Sequence, residues 1–329
     1  MKYRRLGATG LVVSEVGFGA WGIGGLSNGA SSYGRTDDRT SLAALHRALD
    51  LGITFFDTAD IYGYGHSETL IGEAMAGRRH AVVIASKGGF LEHNGPQNLT
   101  PGYLRQAVEQ SLRRLRTDYL DLYQLHSVPI AHVRAEGALD CLRDLVRDGK
   151  IRAAGISVKS PEDGIAAVGL GFQSVQVNFN LADQRALDAG LPAACERAGA
   201  GVIARTPLCF GFLSGYTAGA AFDARDHRST RSAAQRALWA ETSSLFVDAI
   251  GEPGATSAQQ ALRFCLSYPA VSTAIPGMRE PKHVDENVRA SDMGPLDAVR
   301  VARARQLFAE RSFYIGDYVP PVIAQGPPA

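Results

Sequence analysis

The stretch ITFFDTADIYGYGHSE at 53–68 runs from a short apolar segment into Asp57, and then into a glycine-broken segment that carries Tyr62. An apolar run this short, rich in β-branched and aromatic side chains and closed by a polar residue, reads as a strand buried on both faces. The pattern recurs along the chain. EVGFGA from Glu15, AVVIAS from Ala81, YLDLYQL from Tyr119, IRAAGIS from Ile151, SVQVNF from Ser174, GVIART from Gly201 and VSTAIPG from Val271 bring the number of such runs to eight.

Helical patterns lie between most of these runs. The clearest puts Leu104, Ala107, Val108, Leu112 and Leu115 on one stripe, opened by Thr100-Pro101, a capping residue followed by proline at the first turn. Ser160-Pro161-Glu162-Asp163 opens another with a cap and two acids placed favourably for the helix dipole. Strands alternating with helices, with no Pro- or Ser-rich linker, predict one α/β domain over 1–329 built as a closed (β/α)8 barrel. An open doubly wound sheet also fits the pattern. KYRRLGATGLVV reads as a hairpin standing before the barrel, within residues 1–14. The runs start 23 to 38 residues apart except after Gly201, from which Val271 lies 70 residues away. The excess predicts a long loop with an extra helix over 208–255, of the kind that carries function on a barrel's C-terminal face. A tail over 309–329, Pro-rich from Pro320, closes the chain.

Composition removes some function classes. With 34 Lys+Arg against 33 Asp+Glu the net charge is +1, so no broad positive field favours nucleic acid or an anionic membrane. No segment reaches the roughly 18 apolar residues of a span, and the N-terminus lacks the apolar core and cleavage site of a leader. Cys141, Cys195, Cys209 and Cys265 are widely spaced and show no metal-ligand pattern, so they read as free thiols of a cytoplasmic protein that binds no metal.

Gly17-Phe18-Gly19-Ala20-Trp21-Gly22 matches G-x-G-x-x-G, with Asp37 further on, and so imitates a dinucleotide fingerprint. That fingerprint needs a helix starting at the last glycine, to aim its N-terminal amides at a pyrophosphate. Gly22, Gly24, Gly25, Ser27, Asn28 and Gly29 argue against such a helix, and helical periodicity resumes near Asp38. The glycines instead suit close approach of backbone to a ligand at the end of the first strand.

Four polar side chains stand where apolar runs stop: Asp57, Lys87 and His126 at the ends of three consecutive runs, and Tyr62 in the loop after Asp57. Each has an ordinary alternative: a loop-start cap, a surface aromatic, a solvated strand end, a satisfied core histidine. Together, on strands about 4.8 Å apart, they would converge on the catalytic face of a barrel. The chemistry they suit is proton donation from a phenol to a carbonyl oxygen. A phenol titrates near 10, so the expectation is that a sheltered Lys87 ammonium, kept charged by Asp57, draws Tyr62 well below its usual range. A neutral His126 would orient the carbonyl by donating a hydrogen bond.

FFDTADIYGYGHSE from Phe55, ASKGG from Ala85 and LDLYQLH from Leu120 resemble the Asp, Tyr, Lys and His tetrad of the aldo-keto reductase superfamily, and the likeness extends from Arg4 to IPGMREPKHVDEN at Ile275. The resemblance implies a (β/α)8 TIM barrel that binds NADP(H) without a Rossmann fold and passes hydride to an aldehyde or ketone, or removes it from the alcohol. It further implies that Asp57, Ser157 and Gln176 face the nicotinamide end and that Gly19, Ala20 and Trp21 pass beside the ring. On the same grounds Leu208 and Gly211 cross the pyrophosphate, while Gly277, Arg279, His283, Glu286 and Asn287 hold the adenosine end. Arg205 stands where an aromatic often stacks on the nicotinamide, and Val158 where an Asn often follows Ser157. Met278 replaces a small hydroxyl residue near the adenosine phosphate, leaving Arg279, Lys282 and His283 as candidates for that charge. Trp21, Tyr62, Phe90 and His126 would wall the substrate, with Phe210, Phe212, Tyr216, Trp239, Phe313 and Tyr314 as further candidate aromatics. The expected partner is a small carbonyl or alcohol substrate. An alternative is a cofactor-binding regulatory subunit resembling the potassium-channel β subunits, which share this barrel.

Overall fold

The inward and outward faces of eight short strands explain why their sequences are apolar almost throughout. The computed structural model describes residues 1–26, 32–93, 95–217 and 219–316. Ser27, Asn28 and Gly29, and residues 317–329 of the expected tail, lie outside the described residues. A hairpin of β1 (Tyr3–Arg5) and β2 (Val12–Ser14) comes first. The barrel strands follow as β3 (Phe18–Gly19), β4 (Phe55–Asp57), β5 (Val83–Gly88), β6 (Leu120–Leu125), β7 (Ile151–Ser157), β8 (Ser174–Asn178), β9 (Gly201–Arg205) and β10 (Val271–Ile275). Each pairs in parallel with the next, and bridges between Val16 and Ala274 and between Gly19 and Gly277 join the two ends of the sheet. The open doubly wound alternative is thereby excluded.

Two cores result. Leu6, Leu11 and Val13 of the hairpin pack with Phe55, Val83, Ala85, Leu122, Ala153, Ile203 and Ile275, so the hairpin plugs one end of the barrel interior. This close approach requires Gly7, at φ +51, where a Cβ would meet the Gly201 nitrogen at 2.4 Å. The larger core lies between the outward strand side chains and the helices, joining Phe56, Ile84, Tyr123 and Ile156 to Leu45, Leu104, Leu112 and Leu142. Strand side chains alternate, so the positions two beyond the inward Phe55, Ala85 and Leu122 also point inward. These are Asp57, Lys87 and Gln124.

The helices begin with α1 (Asp38–Asp50), α2 (His66–Ala74), α3 (Pro101–Leu115), α4 (Ile130–Ala135), α5 (Ala138–Arg147) and α6 (Pro161–Gly169). Beyond them come α7 (Arg185–Asp188), α8 (Leu191–Ala198), α9 (Ala233–Ile250), α10 (Ser257–Leu266), α11 (Pro281–Met293) and α12 (Ala298–Glu310). Ser160 caps α6 by accepting from the Asp163 amide, as its sequence implies. Thr100 does not cap α3 with its side chain; its hydroxyl donates to Asn98 Oδ1 instead, and Pro101 alone marks the start. The first apolar run forms strand only over Phe18–Gly19, because a 3-10 turn takes over at Ala20–Ile23. Among the described residues no α-helix starts at Gly22, which lies inside that 3-10 turn, so the G-x-G-x-x-G match has no helix terminus to present.

The long connection after β9 holds two 3-10 turns, Cys209–Ser214 and His227–Thr230, and then α9. Trp239 of α9 is buried and donates from Nε1 to the Phe313 carbonyl at 2.9 Å. Phe212, Trp239, Phe313 and Tyr314 thus pack this connection onto the body and do not line the cleft, which corrects their placement as substrate aromatics. Aromatic type did not reveal this, since the partner that buries Trp239 is 74 residues away.

Candidate active site

Register sets the site. Gly19 pairs with Asp57, Asp57 with Ala85 and Lys87 with Gln124, so the inward polar positions of β4, β5 and β6 form one layer above the apolar interior. Lys87 is fully buried. Its ammonium donates to Asp57 Oδ1 at 2.5 Å, to the Thr58 carbonyl at 2.8 Å and to the Tyr62 hydroxyl at 3.4 Å. Asp57 Oδ2 accepts from Gln124 Nε2 at 3.1 Å and Gln176 Nε2 at 2.7 Å, so the carboxylate is held from both sides. The His126 ring meets the Tyr62 ring edge-to-face at 5.6 Å and the Phe90 ring at 5.0 Å.

Protonation follows from burial and these contacts. Burial pushes Lys87 down, but Asp57, helped by Tyr62, more than reverses it, and the ammonium sits above the ordinary lysine value. Burial pushes the Tyr62 phenol up, Lys87 pulls it back, and Asp57 adds to the rise. The net shift is upward, which corrects the expectation that Lys87 draws Tyr62 below its usual range. The phenol is therefore protonated at neutral pH, and Lys87 lowers the cost of leaving a phenolate in a buried place. His126 lies well below the usual imidazole range through burial, with Lys87 adding to the depression. It is neutral, and its Nδ1 is buried without a hydrogen-bond partner.

A chamber of about 300 Å³ opens beside this cluster, lined by Gly19, Ala20, Trp21, Tyr62, Phe90, His126, Ser127, Gln176 and Arg205 among others. It adjoins a second cleft of about 360 Å³ and shares Gly22, Tyr33, Thr206, Phe210 and Gly277 with it. Leu208, Gly211, Gly277, Arg279, His283, Glu286 and Asn287 all line the second cleft. A two-lobed trough results, with the tetrad lining one lobe and α11 the other. Positive φ angles at Thr206, Cys209, Phe210 and Gly211 fold the strand-end loop against the trough. The trough's two lobes suit an elongated dinucleotide, and Arg205, which lines the chamber, has a buried Nε without a hydrogen-bond partner.

Some expected contacts are placed otherwise. Ser157 is buried, and its Oγ lies 3.4 Å from Ser127 Oγ; Ser127 is the one of the two that lines the chamber. Val158 is buried and gives its carbonyl to Arg205 Nη2 at 2.9 Å. Arg279 donates to the Tyr33 carbonyl at 3.1 Å and the Arg35 carbonyl at 2.6 Å, so it also ties down the segment after β3. Lys282 pairs with Glu280 at the surface and lines neither lobe. Residues missed in the sequence include Ser127, Asn178, Lys159 and Thr206, and they follow the same strand-end rule once it is applied to β6 through β9. Tyr33, His93, His227 and Arg231 also line the chamber, but lie in loops that carry no periodic signal.

A barrel that ends in a lysine-linked phenol beside a neutral imidazole, with a trough leading away from them, has the anatomy of an oxidoreductase acting at carbonyl groups. Residues 15–308 match the Aldo/keto reductase family, and the chain belongs to that family. It is 32% identical over 296 residues to the aldo-keto reductase YhdN of Bacillus subtilis, covering 87% of both chains. Over 176 residues, 50% of this chain and 54% of that protein, it is 39% identical to the 6-dehydroglucose reductase of Novosphingobium aromaticivorans. In structure it resembles the holo form of aldo-keto reductase AKR11C1 from Bacillus halodurans, with TM-score 0.76 and 28% identity over 93% of this chain and 96% of that one. Among the described residues no helix is long and apolar enough to cross a membrane.

Proposed function

We propose that this enzyme is an NADP(H)-dependent reductase of a small aldehyde or ketone, with Tyr62 as proton donor, working in either direction. The observation that carries the reading is the fully buried Lys87 ammonium, within 2.5 Å of Asp57 and 3.4 Å of the Tyr62 hydroxyl at the chamber wall. A reduced nicotinamide bound in the chamber would supply the hydride. Tyr62 gives its phenolic proton to the carbonyl oxygen as negative charge develops there, and Lys87 stabilises the phenolate left behind. Asp57 keeps Lys87 charged, and Gln124 and Gln176 hold Asp57 in place. His126, neutral, offers an N–H that aligns the carbonyl, while Trp21 and Phe90 exclude water.

Gly19, Ala20, Gln176 and Arg205 are assigned to the nicotinamide end, with Ser157 acting behind Ser127. Leu208 and Gly211 are assigned to the pyrophosphate, and Gly277, Arg279, His283, Glu286 and Asn287 to the adenosine end. The NADP(H) preference rests on Arg279 and His283, whose cationic and donor groups suit a 2′-phosphate. The kinship with 6-dehydroglucose reductase supports a sugar-like substrate. The test is to incubate the purified protein with a panel of aldehydes, ketones and sugars and each nicotinamide cofactor, following nicotinamide absorbance. Steady oxidation of NADPH with alcohol formed in equal amount is expected; no turnover with any carbonyl in either direction would refute the reading.

A further inference from the structure

Among the described residues, the charged side chains that line the tetrad chamber are Asp57, Lys159, Arg205 and Arg231. Asp57 is matched by Lys87. No carboxylate among the described residues forms an ion pair with Lys159, Arg205 or Arg231, although most other arginines of the chain are paired. Burial holds His93 and His227 near pH 4 and His126 lower than usual, so the histidines around the chamber are neutral. The chamber therefore carries an uncompensated positive charge. Two of its cations keep unused donors: Arg205 Nε and Arg231 Nε are both buried without a hydrogen-bond partner. Arg231 is set by packing, its guanidinium lying 5.9 Å from the Phe210 ring and 5.8 Å from the Trp239 ring. Lys159 is half-buried and depressed by burial and by Arg205, a repulsion that an anion between them would relieve.

The neighbouring cleft is arranged differently. Its Arg228 is already bound to Asp226 at 2.6 Å, and its Arg279 to backbone carbonyls. Three cations without a carboxylate partner thus gather in the lobe beside the tetrad, whereas the lobe that suits a diphosphate holds one such arginine, Arg279, already assigned to the 2′-phosphate. An oxidised nicotinamide ring is itself a cation, so these side chains gain nothing electrostatically from the ring beside them.

We propose that Lys159 and Arg231, with the Nε edge of Arg205, form an anion subsite that binds a carboxylate or phosphate carried by the carbonyl substrate. The proposal rests on the reductase reading and names its substrate class: small aldehydes or ketones with an anionic group. Carboxylate and phosphate share the required chemistry, and matched pairs separate them.

With NADPH, 4-carboxybenzaldehyde is compared with its methyl ester, and glyceraldehyde 3-phosphate with glyceraldehyde. In at least one pair the anion is expected to show a kcat/KM at least about tenfold higher, and the advantage shrinks as salt is raised. The pair that shows it identifies the group. Arg231→Gln and Lys159→Gln are each expected to remove most of that advantage, leaving kcat/KM for the neutral aldehyde and the NADPH Kd within about twofold. Equal kcat/KM within both pairs, or variants that weaken NADPH binding instead, would overturn the subsite. Should no aldehyde turn over, the reductase reading fails separately. Stabilisation of the protein by benzoate or inorganic phosphate, measured as a Tm shift and lost in Arg231→Gln, then decides the subsite, and no shift with either anion overturns it.

Discussion

Replacing Lys87 with methionine keeps the length of the side chain and deletes its charge, and the consequences follow from two distances. At 3.4 Å from the Tyr62 hydroxyl, a unit charge stabilises a phenolate by about 5 kcal/mol at an effective dielectric near 20. If about half of the proton's charge has left the phenol at the transition state, about 2.5 kcal/mol of barrier stabilisation is lost, roughly a 10²-fold fall in the rate of reduction. The other distance concerns folding. Asp57, 2.5 Å away, would keep a buried carboxylate with amide donors alone, at a cost of about 3–5 kcal/mol. The double variant Lys87→Met/Asp57→Asn removes that charge and is expected to recover much of the stability but none of the rate. Single-turnover absorbance of NADPH with saturating aldehyde measures the chemical step, and thermal unfolding measures the fold. A Lys87→Met enzyme that reduces aldehyde within a few-fold of the wild-type rate would refute the electrostatic account, and a double variant that regains activity would show the loss to be one of folding.

Arg279→Ala should weaken NADPH and NADH alike through loss of its bonds to Tyr33 and Arg35, and should weaken NADPH by about a further tenfold through the 2′-phosphate. Equal losses measured by fluorescence titration would move the phosphate contact elsewhere. Asp60 makes a prediction about pH. Burial, with Glu68 beside it, pushes its carboxyl up to about 8 from an ordinary 3.8, so the folded state holds a proton that the unfolded state has released between those values. Its contribution is complete below about pH 4 and is lost as the pH rises to about 8. Asp60→Asn should flatten the fall of Tm across that window, and an unchanged slope would show that Asp60 titrates normally.

How much the sequence revealed depended on whether the signal was local. The strand-end positions of Asp57, Lys87 and His126 marked the candidate cluster in the sequence, whereas the strand pattern left a barrel and an open doubly wound sheet both possible, and the bridges from Val16 to Ala274 and Gly19 to Gly277 decide for the barrel. The hairpin was legible from its Gly-containing turn, but not which side chains it buries, since Leu11, Val12 and Val13 are all apolar and Val12 is exposed. The state of Tyr62 was not legible, because proximity to Lys87 can be inferred from strand order, whereas the burial that dominates its shift comes from the whole chamber wall. The loop after β9 was visible as an interval but not as a structure. His227 reaches the Ser32 carbonyl across 195 residues, and no spacing rule announces such a contact. Arg231 and Lys159 look in sequence like solvated charges, and only the shape of the chamber shows that they share an interior.

Tyr62→Phe removes a single oxygen from the wall of the chamber and leaves the ring contacts with Trp21 and His126 in place. It is expected to bind NADPH as the wild type does, and to lose turnover by about 10²–10⁴-fold. Undiminished turnover in this variant, with the cofactor bound normally, would mean that another group gives the proton.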